Sequence, residues 1–129
     1  MAWAFLLGRL IFGLFFIVGG VHHFLNPRLL GAYASAKHVP VPRVTVPLTG
    51  IQLILGGASV ATGYEPVVGG LLLVLLLVPA AFWMHNFWAE RDPMLRAIQL
   101  GHFAKNLALG GAALALMGVP TPWPLSVGG

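Results

Sequence analysis

The chain has 129 residues, 58% of them hydrophobic and only 8% charged, with a mean hydropathy of +0.89, which points to a bilayer rather than to a soluble domain. Seven Lys and Arg stand against Glu65, Glu90 and Asp92, an excess that bears on membrane topology and carries no nucleic-acid signature. Without cysteine the chain forms no disulfide, has no thiol nucleophile and ligates no iron–sulfur cluster, so any redox chemistry needs a bound cofactor.

Four apolar runs, roughly residues 2–25, 43–63, 67–88 and 95–118, reach the ~20 residues that a helix needs to cross a ~30 Å hydrocarbon core. They are continuous and do not alternate, which disfavours barrel strands. The expected fold class is therefore all-α: a single-domain integral membrane four-helix transmembrane bundle.

The first run is read as a retained span rather than a signal peptide. Ala32-Tyr33-Ala34 and Ala34-Ser35-Ala36 imitate cleavage sites, but no basic segment precedes the run and it exceeds the ~15-residue core of a signal. In the first connection Asn26-Pro27 fits an N-cap followed by a first-turn proline, predicting a short interfacial helix over "RLLGAYASAK" that Val39-Pro40-Val41-Pro42 ends. The second connection, Gly63-Tyr64-Glu65-Pro66, and the third, "AERDP", are tight, so the last three spans should be antiparallel neighbours. The proline-rich tail 119–129, "VPTPWPLSVGG", is expected to be extended.

Arg28, Lys37 and Arg43 sit in or beside the first connection and Arg91 and Arg96 in or beside the third, whereas only Arg9 lies near the opposite face. The positive-inside rule then puts connections one and three in the cytoplasm and both termini outside. Trp3, Tyr64 and Trp123 would mark one membrane interface, and Tyr33, Trp83 and Trp88 the other.

Polar residues recur at helical spacing. In "QLGHFAKNLAL" of the fourth span, Gln99, His102 and Asn106 fall within about 60° of one another, with Lys105 beside them. Thr45, Thr49, Gln52, Gly56, Ser59 and Gly63 share a face of the second span, and Arg9, Gly13, Phe16, Gly20 and His23 a face of the first. The Gly, Ser and Thr positions read as packing seams, and Gln52 and Asn106 suit interhelical bridging as well as a site. Arg9, His102 and Lys105 are different, because ionisable groups in a span are costly and usually line a cavity or meet a partner.

Counting ~1.5 Å per residue from the cytoplasmic face, Gln99 lies about 6 Å deep, His102 about 10 Å, Gln52 about 12 Å, and Lys105 and Asn106 about 15 Å. These groups would line a pocket open toward that face, with His23 and His85 near its mouth. No span contains a carboxylate, so Arg9 and Lys105 call for an external anion: a lipid phosphate, a quinone oxygen, a substrate oxyanion or a carboxylate of another subunit. Haem b would use two of His23, His85 and His102, whose differing depths weigh against it. Three histidines without diagnostic spacing give no metal site, and neither a phosphate loop nor a hydrolytic triad is present.

The segments "LLGRLIFGLFFIVGGVHHFLNP", "LILGGASVATG", "FWMHNFW" and "DPMLRAIQLGHFAKNLALGGAALAL" together resemble the DoxX family of small four-helix membrane proteins. The resemblance implies a bacterial plasma-membrane subunit linked to quinone-dependent oxidoreduction, including sulfur-compound oxidation, acting in a larger membrane complex. Wider relatives assist the assembly of other proteins, which implies the alternative of a non-catalytic accessory subunit. By position, Arg9, His102, Lys105 and Asn106 match recurrent polar positions of the family, whereas members often carry glutamate where this chain has Gln52. A quinone headgroup would then meet Lys105 and Arg9 as charge stabilisers, His102 as proton exchanger and Gln52, Gln99 and Asn106 as orienting groups. The expected partners are lipid and other membrane subunits, or a second copy of the chain, with no nucleic acid.

Overall fold

A computed structural model describes residues 1–128, all of whose regular structure is helical: α1 Ala2–Leu25, α2 Pro27–Ala36, α3 Pro42–Thr62, α4 Pro66–Met84, a short 3-10 turn Phe87–Ala89, and α5 Pro93–Met117. Ala2–Leu25, Pro42–Thr62 and Pro66–Ala89 are long and apolar enough to cross a membrane, with mean hydropathies of 2.2, 1.6 and 2.5. The 25 residues of α5 are long enough, but Gln99, His102, Lys105 and Asn106 dilute their hydropathy.

Proline opens α2, α3, α4 and α5, where its missing N–H is no loss. Asp92 caps α5, accepting from the N–H groups of Met94 at 2.8 Å and Leu95 at 3.2 Å. Asn26 precedes α2 as expected, but its side chain does not cap that helix; its amide turns back 2.9 Å to Nδ1 of His22. The third span, expected to run to 88, is helical only to Met84, because its end finds other partners: Tyr33 donates to the Met84 carbonyl at 2.6 Å and Lys37 to Asn86 Oδ1 at 2.6 Å.

The long helices pack in the order α1–α3–α4–α5, with α2 against α3, while α1 and α5 make at most marginal contact. The α1–α3 seam is set by glycine. A Cβ placed on Gly57 would lie 2.5 Å from the carbonyl oxygen of Gly13, and one on Gly20 2.5 Å from that of Gly50, so only hydrogen fits between these backbones. Arg9, Gly13, Phe16 and Gly20 are the buried residues of α1, as their common face predicts.

On α3 the buried set is Val46, Gly50, Leu53, Gly56, Gly57, Val60 and Ala61; of the expected stripe Gly56 belongs to it, whereas Thr45, Thr49, Gln52 and Ser59 are half-buried. Of that stripe, Ser59 donates to the Tyr64 and Glu65 carbonyls and Gln52 to the Leu72 carbonyl, so the polar edge of α3 ties it to α4 and its entry turn. Gly63 ends α3 in the left-handed region at φ +74°. Phe16, Leu53, Val60, Leu73, Leu77, Ala113 and Trp123 form the core.

The tail departs from the expected extended form. It folds back over the end of the bundle where α1 begins: Val127 N–H donates to the Thr62 carbonyl at 2.9 Å, and Trp123 is 2% exposed with its ring edge on Phe5 at 5.1 Å. Trp123 is thus a core residue and not an interfacial belt residue.

Gly57→Ala should lower stability by about 1–3 kcal/mol, the cost of overpacking a backbone contact. Gly8→Ala and Gly111→Ala, where a Cβ meets nothing within 4 Å, should be neutral or stabilising in the same detergent unfolding titration.

Candidate functional site

Arg9 and Lys105 meet different fates. Arg9, 2% exposed, donates from one terminal nitrogen to the Pro124 carbonyl at 3.0 Å and from the other to the Leu125 carbonyl. Its guanidinium carbon lies 5.8 Å from the ring centres of both Phe5 and Trp123. Its Nε is buried without a partner. The folded tail therefore supplies two carbonyl dipoles and the Trp123 ring, and α1 itself the Phe5 ring, to a cation that has no carboxylate partner among the described residues. Sequence reasoning missed this because the partners lie 115 and 116 residues away.

Lys105 lies midway along α5, its ammonium 5.7 Å from the ring centre of Phe15 on α1. This contact bridges the two helices that otherwise stand apart, and behind it lies a cavity of about 540 Å³. Phe15, Phe16, Leu53, Leu76, Leu77 and Pro79 give it an apolar wall, and Asn106, Lys105, His23, Thr49, Tyr33 and His85 its polar groups. Asn106 is 7% exposed and makes no hydrogen bond to another described residue, so an amide with two donors and an acceptor lines the cavity unused.

His23 Nδ1 lies 3.0 Å from the Val46 carbonyl and 3.2 Å from the Thr49 hydroxyl. A carbonyl can only accept, so Nδ1 carries the hydrogen and Nε2 is left for another partner.

A second cluster closes the end of the cavity formed by α2 and the α4–α5 connection. His85 Nδ1 is 2.8 Å from Gln99 Oε1, Gln99 Nε2 donates to the Tyr33 hydroxyl at 3.0 Å, and His102 stacks on His85 with ring centres 5.1 Å apart. Trp83 donates to the Lys37 carbonyl at 2.6 Å, tying α2 to the same end.

Of the residues singled out from sequence, Lys105, Asn106, His23 and His85 line the cavity, and Gln99 and His102 adjoin it through His85. Arg9 and Gln52 lie outside it: Arg9 holds the tail, and Gln52 Nε2 donates to the Leu72 carbonyl at 2.8 Å. Tyr33 is the polar wall residue that sequence left as an interfacial marker; its register on the short α2 was the available signal.

Three helices long and apolar enough to cross a bilayer mark an integral membrane protein. The DoxX family model matches residues 4–86, more than half of the chain, and the protein belongs to that family. The match ends before α5, so Gln99, His102, Lys105 and Asn106 lie beyond it. No curated protein and no solved structure matches the chain.

Arg9→Met should release the tail, costing about 1.5–3 kcal/mol for hydrogen bonds to a charged donor. Hydrogen exchange at the Val127 amide should accelerate in this variant, while exchange within α4 is unchanged.

Proposed function

We propose that the protein is a four-helix transmembrane subunit whose cavity holds a quinone-like headgroup, with α5 as the fourth span. The observation that carries this reading is the Asn106 amide, without a hydrogen-bond partner among the described residues, beside Lys105 in a mostly apolar cavity of about 540 Å³. That volume falls within the ~300–1,000 Å³ usual for ligand pockets. The wall suits an apolar ring, and the polar groups suit its carbonyl oxygens.

In this reading the Lys105 ammonium and the Asn106 amide donate to a ring oxygen and stabilise negative charge there. His85 Nδ1 donates to Gln99, Gln99 to Tyr33 and Tyr33 to the Met84 carbonyl, a chain that fixes the His85 ring at the cavity wall, where its free Nε2 can exchange a proton with the ligand; His102 stacks on the same ring. The quinone, when bound, supplies the electron chemistry. Without cysteine the chain holds no iron–sulfur cluster and no redox disulfide, and in this reading the electrons come from a partner subunit in the membrane.

In this reading the membrane is a bacterial plasma membrane with the first and third connections on its cytoplasmic side, an orientation that the Arg and Lys beside those connections support, so the cavity lies in that half and the Arg9-tail latch at the outer face.

Protein extracted from native membranes should carry a quinone detectable by mass spectrometry of its organic extract. Lys105→Ala and Asn106→Leu should each lower its content about tenfold, as the loss of one charge-assisted or buried hydrogen bond predicts, whereas Arg9→Lys should not. Absence of quinone from the wild-type extract, with a second protein retained at constant stoichiometry, would favour the accessory-subunit reading instead.

A further inference from the structure

A second cavity, of about 560 Å³, opens where the end of α1, α2 and the start of α3 meet. It is distinct from the first but shares the side chains of His23 and Val46 with it. Phe24, Pro27, Gly31, Ala32, Val46 and Pro47 supply an apolar floor, and the polar groups are Arg28, Arg43, Ser35 and His23.

Arg28 and Arg43, both exposed, line the same open cleft, so their positive charges converge on one space. No carboxylate is within reach along the chain: residues 1–64 contain Arg9, Arg28, Lys37 and Arg43 and no Asp or Glu. The nearest acid in sequence, Glu65, lies at the other end of α3, beyond Thr62. Lys37, the remaining cation of this region, is taken by Asn86. Neither Arg28 nor Arg43 has a hydrogen-bond or ion-pair partner among the described residues, and the Ser35 hydroxyl is likewise unengaged.

We propose that this cleft binds a phosphate group, gripped by Arg28 and Arg43 with Ser35 as a third donor. Arginine suits this role because its planar fork meets two phosphate oxygens at once. The apolar floor beside the two charges fits the glycerol and first methylenes of an anionic phospholipid entering from the bilayer, and the same donors would accept inorganic phosphate from the water side. Bound phosphate would supply the missing negative charge and clamp α2 between α1 and α3, over the shared wall at His23.

The test uses the full chain in nanodiscs and in detergent. Native mass spectrometry after exchange into phosphatidylglycerol should show one tightly retained lipid. Arg28→Gln/Arg43→Gln should lower its retention at least tenfold, the factor expected from one charge-assisted hydrogen bond, and Arg28→Lys/Arg43→Lys should restore part of it. Arg91→Gln/Arg96→Gln removes the same charge from the α4–α5 side and should leave retention unchanged. Stabilisation by phosphatidylglycerol but not by millimolar inorganic phosphate assigns the site to lipid; equal stabilisation by both assigns it to free phosphate. The proposal is overturned if phosphatidylglycerol and phosphatidylcholine are retained alike and phosphate has no effect, or if the two double glutamines lose equal amounts of lipid.

Discussion

The arrangement rests on one constraint: the spans hold cations but no carboxylate to meet them. In hydrocarbon an unpaired charge costs several kcal/mol, so each cation must recruit a neutral dipole, a ring face or an anion from outside. Arg9 recruits two carbonyls and two rings, and in doing so folds the proline-rich tail over one end of the bundle. Lys105 has a single ring, Phe15, and beside it the unused amide of Asn106. One cation thus completes the fold, and the other remains poised for a ligand.

The cavity exists because packing is uneven. Glycine pairs bring α1 and α3 to backbone contact, and α3, α4 and α5 follow in turn, but nothing equivalent draws α5 onto α1. Small residues decide where helices in lipid touch, since apolar side chains alone gain little by leaving lipid for one another. Across the gap left between the first and last long helices, the exposed Lys105 reaches toward Phe15, which makes that side chain part of the cavity wall at its open side.

Much of this was legible in the sequence. Continuous apolar runs gave four long helices, the Asn26-Pro27 signal gave α2, and the 3.6-residue period gave the buried face of α1. On the stripe of α5, Asn106 is buried and Gln99 half-buried, while His102 on the same face is exposed and stacks on His85. What was not legible depended on contacts distant in sequence. Arg9 was expected beside Lys105 because both are cations in spans, yet its partners come from the far terminus. The small and polar face of α3 was read as a packing seam without a named neighbour, and it meets α4 through Gly56 and Ser59, whereas the seam with α1 is formed by Gly50 and Gly57, about 120–140° round the helix; periodicity finds a face but does not say which neighbour it meets. The early end of α4 could not be read either, because Tyr33 and Lys37 compete for its last polar groups only once α2 has docked.

The most direct measurement is an experimental density map of the protein taken from native membranes without added ligand, at a resolution that separates side chains. The account predicts planar density in the cavity between α1 and α5, with a polar atom within hydrogen-bonding distance of both Lys105 Nζ and the Asn106 amide. A cavity filled by an acyl chain alone, with the Asn106 amide bonded to a neighbouring helix and Lys105 turned out to a lipid phosphate, would contradict it.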